Sequence, residues 1–280
     1  MIEGKSRRLS RIFATDGKTL IVPVDDSLIF GPFDGLDNIN QKLENILLGK
    51  PNAILGYHGL FTNNENLNSV GRIINITAST INSCHTKKCI ISTVEHLIRC
   101  DADSIACHMN ITSRYESHML ANLGILVSEA ERYSIPITAI VYPRKELENG
   151  LDENFQLMKT SNIKEYTKLL CHGVRIAKEL GASIIKTHYP GDSEMFEKVI
   201  EAAYPIPVVI SGGEFKDSKK ILKEAEDAII CGGKGVCFGR NVFSRKDSNL
   251  LVAALFSIIH ENYSSDEAYL KFLPNNKKED

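Results

Sequence analysis

No stretch of this sequence approaches the roughly 18 apolar residues needed to span a bilayer. The N-terminus, MIEGKSRRLSRIF, lacks the apolar core of a secretory signal. Charge of one sign is lacking too: 33 basic residues stand against 35 acidic ones, a net charge of −2. Such a balance sets up no long-range field toward nucleic acid or an anionic membrane. The densest basic run, Lys5-Ser6-Arg7-Arg8, reads as a solvated N-terminal segment. There are only seven cysteines, an odd number at irregular spacing and mostly beside apolar residues. That pattern suits reduced core thiols in a cytoplasmic protein. Cys84 and Cys89 flank His85 in SCHTKKC, but no second ligand pair follows at zinc-site spacing. No metal site is expected.

What is present is a chain of 280 residues, 43% of them hydrophobic, with no low-complexity linker. Short apolar runs rich in Ile and Val recur at Thr19–Val24, Ala53–Leu55, Arg72–Ile76, Ser104–His108, Ile137–Tyr142, Ser183–Thr187, Pro207–Ser211 and Gly235–Gly239. They mostly lack strict alternation, as strands covered on both faces do. Helical spacing separates them over Ile39–Leu48, Glu116–Tyr133, Lys164–Leu180, Phe196–Ala203, Ser218–Glu226 and Asn249–Ile259. Gly181 sits where a C′ glycine belongs. Eight strands alternating with helices over this length predict an α/β fold, a single-domain (β/α)8 TIM barrel over residues 1–265, with a polar tail over 266–280. A doubly wound open sheet is the alternative; no G-x-G-x-x-G follows the first strand to support it.

Active sites of this barrel collect at the C-terminal ends of the strands. There the sequence places Asp25, Asp26, Asn110, Tyr142, Lys186, Ser211-Gly212-Gly213 and Gly239-Arg240. Lys186 lies in GASIIKTHYPGD, at the end of an apolar strand. Desolvation favours the neutral amine, so its pKa is expected to be lowered. A neutral amine attacks a ketone to form a Schiff base, whose protonated imine draws electrons from a neighbouring C–C bond without a metal or other cofactor. The loops after strands seven and eight, ISGGEF and FGRN, offer backbone N–H groups and the Arg240 fork to a phosphate. Asp25 and Asp26 are neighbours on an extended run, so at most one is expected to face the axis, Asp25 being the better candidate. The Tyr142 phenol, just before Pro143, can relay a proton.

Taken together, these motifs resemble the archaeal-type class I aldolases, a DeoC/LacD-like group of barrel aldolases. It includes class I fructose-bisphosphate aldolases and 2-amino-3,7-dideoxy-D-threo-hept-6-ulosonate (ADH) synthases. The resemblance runs from about Lys5 to Phe243: through GKSRRLSRIFATDGKTLIVPVDDSLIFGPFDGLDN, AIVYPR, GASIIKTHYPGD, VVISGGEF and GKGVCFGRNVF. It implies a metal-independent Schiff-base aldolase or transaldolase acting on a phosphorylated ketose or dihydroxyacetone phosphate. Lys186 would be the nucleophile, Tyr142 the proton donor and acceptor, and Asp25 the group assisting imine formation. Ser211, Gly212, Gly213, Gly239 and Arg240 would hold phosphate, with Asp26 and His188 beside the substrate. Members commonly form pentameric rings that stack as decamers, so a homo-oligomer is implied.

The sequence departs from the family at the pocket. The family's Asp-His-Gly reads Asp25-Asp26-Ser27, which puts a negative charge where an imidazole is usual. Next to a phosphate it would repel, so Asp26 is expected either to point away or to face a different group. His188 stands where Asn, Lys or Tyr is more usual. These changes point away from fructose-bisphosphate cleavage and toward an ADH-synthase-like step, with an aldehyde acceptor such as L-aspartate semialdehyde.

Overall fold

All eight apolar runs form strands: β1 (Thr19–Pro23), β2 (Ala53–Gly56), β3 (Gly71–Asn75), β4 (Ser104–Ile111), β5 (Ile137–Pro143), β6 (Ile184–His188), β7 (Val208–Ser211) and β8 (Gly235–Cys237). The computed structural model describes residues 2–32, 35–62, 64–148 and 156–273. In it each strand pairs in parallel with its sequence neighbour, and β1 pairs with β8, so the ring closes as a (β/α)8 barrel. The open-sheet alternative fails on that last pairing. Closure brings β8 very near β1: a Cβ on Gly235 (φ +145°) would lie 1.8 Å from the Thr19 carbonyl oxygen.

Side chains alternate inward and outward along each strand. The inward set, including Ile21, Leu55, Ile73, Ile140, Ile184 and Val209, forms a separate core inside the ring. The outward set, Ile185 and Val141 among it, joins the larger core under the helices. The expected helices are present as Ile39–Leu48, Glu116–Arg132, Ile163–Glu179, Ser193–Ala203, Ser218–Ile230 and Ser248–His260. Gly181 adopts φ +92° just past Ile163–Glu179, the left-handed stop its position predicted.

Three segments differ from the sequence reading. The basic N-terminal run is not merely solvated: Ile2–Ile12 is a helix with Leu9, Ile12 and Phe13 packed against the inner core. Arg8 donates to the Ala102 carbonyl (2.7 Å), and Arg11 pairs with Asp103 at 2.5 Å. Its apolar residues cover the N-terminal end of the ring and leave the other end for chemistry. Part of the expected polar tail is ordered: Ser265–Phe272 is a helix with a capping box from Ser264 and Glu267, and Ala268 is fully buried. Residues 274–280 lie outside the described residues. Lastly, the chain after β3 makes an excursion in which Thr77–Ala78 pairs antiparallel with Cys89–Ile90 and carries residues 79–88 over the rim.

Among the described residues, no helix is long and apolar enough to cross a membrane.

Candidate active site

Pairing and alternation together decide which side chains enter the barrel mouth. Lys186 is two residues beyond inward-facing Ile184 and lies level with Ile140 on β5 and Val209 on β7. It therefore points inward, and it is buried. Tyr142 follows Ile140, and Ser211 follows Val209, by the same two-residue step. Of the residues singled out from the sequence, ten (Lys186, Tyr142, Asp25, Asp26, His188, Ser211, Gly212, Gly213, Gly239 and Arg240) line one open cavity of about 700 Å³, its mouth included, and Asn110 does not. Sequence separations of up to 215 positions, from Asp25 to Arg240, collapse into one rim.

The expectation for the two aspartates is corrected. Both line the cavity, because the strand stops at Pro23 and Asp25 already has helical dihedrals (φ −86°, ψ −3°) at the start of helix Asp26–Phe30. In helical backbone, successive side chains are about 100° apart, not opposite. Asp25 is buried and accepts from Asn75 Nδ2 (3.0 Å) at the end of β3. Asp26 does not point away; it reaches Arg240, Oδ2 to Nε 3.3 Å. Burial and the neighbouring Asp25 push its carboxyl upward, against the cations Arg240, Lys186 and Lys88.

The expected lowering of the Lys186 pKa is corrected too. Burial alone pulls it down, but Asp25, and Cys237 and Tyr142 in their ionised forms, pull it up and prevail. Burial also pushes the Cys237 thiol up to about 11 and raises the Tyr142 phenol, so both keep their protons at neutral pH.

Aromatic contacts fix the proton-bearing side chains. The Tyr142 ring stacks on His188, centroids 4.2 Å apart and planes 9° from parallel, and meets the edge of His108 at 5.2 Å. The Tyr166 hydroxyl is hydrogen-bonded to His188 Nδ1 at 2.5 Å. Burial and the cations around them hold His188 and His85 down to about 3 and keep His108 well below its ordinary range. The three imidazoles are neutral at pH 7. The lining then carries four cations (Lys88, Arg144, Lys186, Arg240) against two carboxylates (Asp25, Asp26), a formal balance of +2. A cavity so charged attracts anions.

The glycine turns are fitted to each other. A Cβ on Gly212 would meet Asn241 Nδ2 at 2.8 Å, and Gly213 takes φ +68°. Asn241 stitches the two loops: its Nδ2 donates to the Gly212 (3.3 Å) and Glu214 (2.9 Å) carbonyls, and its Oδ1 accepts from Lys216 N. Buried Arg245 donates to the Asn241 and Lys216 carbonyls. Ser211 neighbours Tyr142, yet its buried hydroxyl makes no hydrogen bond of ordinary geometry.

Sequence reasoning missed Lys88, His85, Arg144 and Cys237, which also line the cavity. Lys88 and His85 come from SCHTKKC, a stretch weighed only for zinc. Lys88 is buried and donates to Ser79 Oγ at 2.6 Å. Glu146 holds this loop down. It accepts from Thr86 Oγ1, from Ser113 Oγ (2.6 Å) and from Arg114 N (2.9 Å), and these bonds hold its carboxyl down to about 2 despite burial. Asn110, expected just beyond β4, lies within it and donates to the Thr86 carbonyl at 2.7 Å. Two Lys within three positions of a His in one short segment were the signal available; the segment had no strand or helix period to place it. Among the described residues, no three His, Cys, Asp or Glu side chains converge as a metal site requires.

Comparison with known proteins identifies the family. Residues 16–245 match the model of the DeoC/LacD family aldolases. The chain is 32% identical over 267 residues to a 2-amino-3,7-dideoxy-D-threo-hept-6-ulosonate synthase of Halobacterium salinarum, covering 95% of each chain. It is 29% identical to a 2-amino-4,5-dihydroxy-6-oxo-7-(phosphonooxy)heptanoate synthase of Streptomyces griseus, covering 92% of this chain and 91% of that one. A crystal structure of an archaeal fructose 1,6-bisphosphate aldolase superposes with a TM-score of 0.79 at 25% identity, covering 92% of this chain and 99% of that one. The chain belongs to the DeoC/LacD family of aldolases.

Proposed function

We propose that this protein is a Schiff-base aldolase or transaldolase that joins a fragment of a phosphorylated ketose to an aldehyde acceptor, in an ADH-synthase-like step. One observation carries the reading: an inward-facing buried lysine lines a single cationic cavity with Tyr142, Asp25 and both glycine turns. The sequence relatives favour this step over fructose-bisphosphate cleavage, since both synthases are more similar in sequence than the fructose-bisphosphate aldolase.

In this reading Asp25 takes the proton that frees the Lys186 amine. The amine attacks the ketone carbon while Tyr142 protonates the carbonyl oxygen, giving a carbinolamine. Water leaves, and the resulting iminium is the electron sink: the adjacent C–C bond breaks, its electron pair forms an enamine, and Tyr142 takes the proton of the departing hydroxyl. The enamine then attacks the acceptor aldehyde, Tyr142 returns its proton to the new alkoxide, and water hydrolyses the imine. Ser211, Gly212, Gly213, Gly239 and Arg240 hold the phosphoryl group, with backbone N–H groups and a guanidinium as donors. His188 keeps the Tyr142 ring in place. The substrate is a phosphorylated small molecule, and the assembly is a homo-oligomer in a cytoplasmic setting.

The test is a competition. The enzyme, a phosphorylated ketose donor, L-aspartate semialdehyde and glyceraldehyde 3-phosphate are incubated together, and products are weighed by mass spectrometry. The amino-acid adduct should dominate; a product from glyceraldehyde 3-phosphate alone would return the reading to fructose-bisphosphate aldolase.

A further inference from the structure

Asp26 and Arg240 meet at the mouth of the cavity. Asp26 begins the short helix after β1, Arg240 begins the short helix Arg240–Phe243 after β8, and β1 and β8 are paired. The ion pair of 3.3 Å joins them, and Gly212, Gly213 and Gly239 share the same lining. The guanidinium assigned above to a phosphoryl group is thus already engaged by a carboxylate.

A carboxylate and a phosphate dianion on one guanidinium disfavour each other strongly while both remain ionised, because they are like charges at a few ångströms. Facing Asp26 are Asp25, Arg240, Lys186 and Lys88, with the Tyr57 phenol also near. Burial and Asp25 already favour its neutral form, and the cations oppose them. A dianion arriving at Arg240 would add negative charge and neutralise the first of those cations.

We infer that Asp26 binds the phosphoryl group as a neutral carboxylic acid, taking one proton from solvent as Arg240 passes from its carboxylate to the phosphate. Its O–H then donates to a phosphate oxygen, which gives a carboxyl group the donor role an imidazole could otherwise fill. The inference rests on the assignment of Arg240 to phosphate. It makes Asp26 a binding residue that admits a phosphoryl group only together with a proton.

The experiment is calorimetric titration of the full-length protein with glycerol 3-phosphate, which has no carbonyl and forms no imine. At pH 8 this ligand is a dianion, since its second pKa is about 6. Runs in two buffers of different ionisation enthalpy give the proton count. Wild type should take up about one proton per ligand, and its Kd should weaken by up to about tenfold per pH unit between pH 7 and 9. Asp26→Asn should bind with no uptake and a flat Kd. No uptake by wild type, or undiminished uptake by Asp26→Asn, overturns the inference. Arg240→Ala separates the layers: weakened binding without proton uptake in wild type rejects only the Asp26 proposal. Binding of Arg240→Ala equal to wild type rejects the phosphate assignment and the Asp26 proposal with it.

Discussion

The Tyr142 phenol lies flat on the His188 imidazole, with 4.2 Å between ring centres. Tyr166 anchors that imidazole through Nδ1. The stack gives the proton-bearing ring little freedom to turn from the space above Lys186. Tyr142→Phe should therefore lower kcat on the order of 10²–10⁴-fold, the range for loss of a general acid–base group, with little change in donor KM. Tyr166→Phe, which only releases the support, should lower kcat by on the order of tenfold and also leave KM in place. Steady-state kinetics read both; wild-type kcat in Tyr142→Phe would remove it from the chemistry.

The buried imidazoles set the acid limit of stability. His188 is held down to about 3 and His108 well below its ordinary value, against about 6.5 in the unfolded chain. Between those values the unfolded state binds protons that the native state does not, so stability rises with pH there and is lost as pH falls below about 6.5. Each such histidine should cost about 1.4 kcal/mol per pH unit at full effect. Urea unfolding at pH 7, 6 and 5 should show a steepening loss, and His188→Asn should reduce the slope by about one proton. A stability profile flat from pH 7 to 5 would contradict neutral burial of these rings.

Glu146 ties the excursion that presents Lys88 to the barrel. Its carboxylate is 3% exposed in the side chain and accepts from Thr86, Ser113 and the Arg114 backbone. Glu146→Ala strands those donors and should cost about 3 kcal/mol, as loss of hydrogen bonds to a buried charge does. Limited proteolysis should then cut within residues 79–88. A variant as stable and as resistant as wild type would show that the loop is held otherwise.

Much of this architecture was legible because barrels write themselves in strand-length apolar runs. Lys186, Tyr142, Ser211 and Arg240 could be read as strand-end residues, while the inward direction of Lys186 became visible only with Ile184 in the inner core and β6 paired to its neighbours. What was hidden lay where the backbone changes conformation. Asp25 and Asp26 share the cavity only because the extended run ends at Pro23, two residues earlier than an adjacent-pair argument assumes. Lys88 and His85 sit in a loop whose place is set by Glu146, some 60 residues away. The charge state of Lys186 could not be read from its apolar strand, because Asp25 and Cys237 approach it from β1 and β8. The N-terminal helix hid its role because its basic face dominates the composition while three apolar residues do the packing.

Borohydride trapping reaches the central claim most directly. The protein is incubated with dihydroxyacetone phosphate, reduced, digested and mapped by mass spectrometry. One adduct should form, on Lys186, and Lys186→Met should form none. An adduct on Lys88 or another lysine, or an unmodified protein after reduction with every phosphorylated ketose tried, would contradict it.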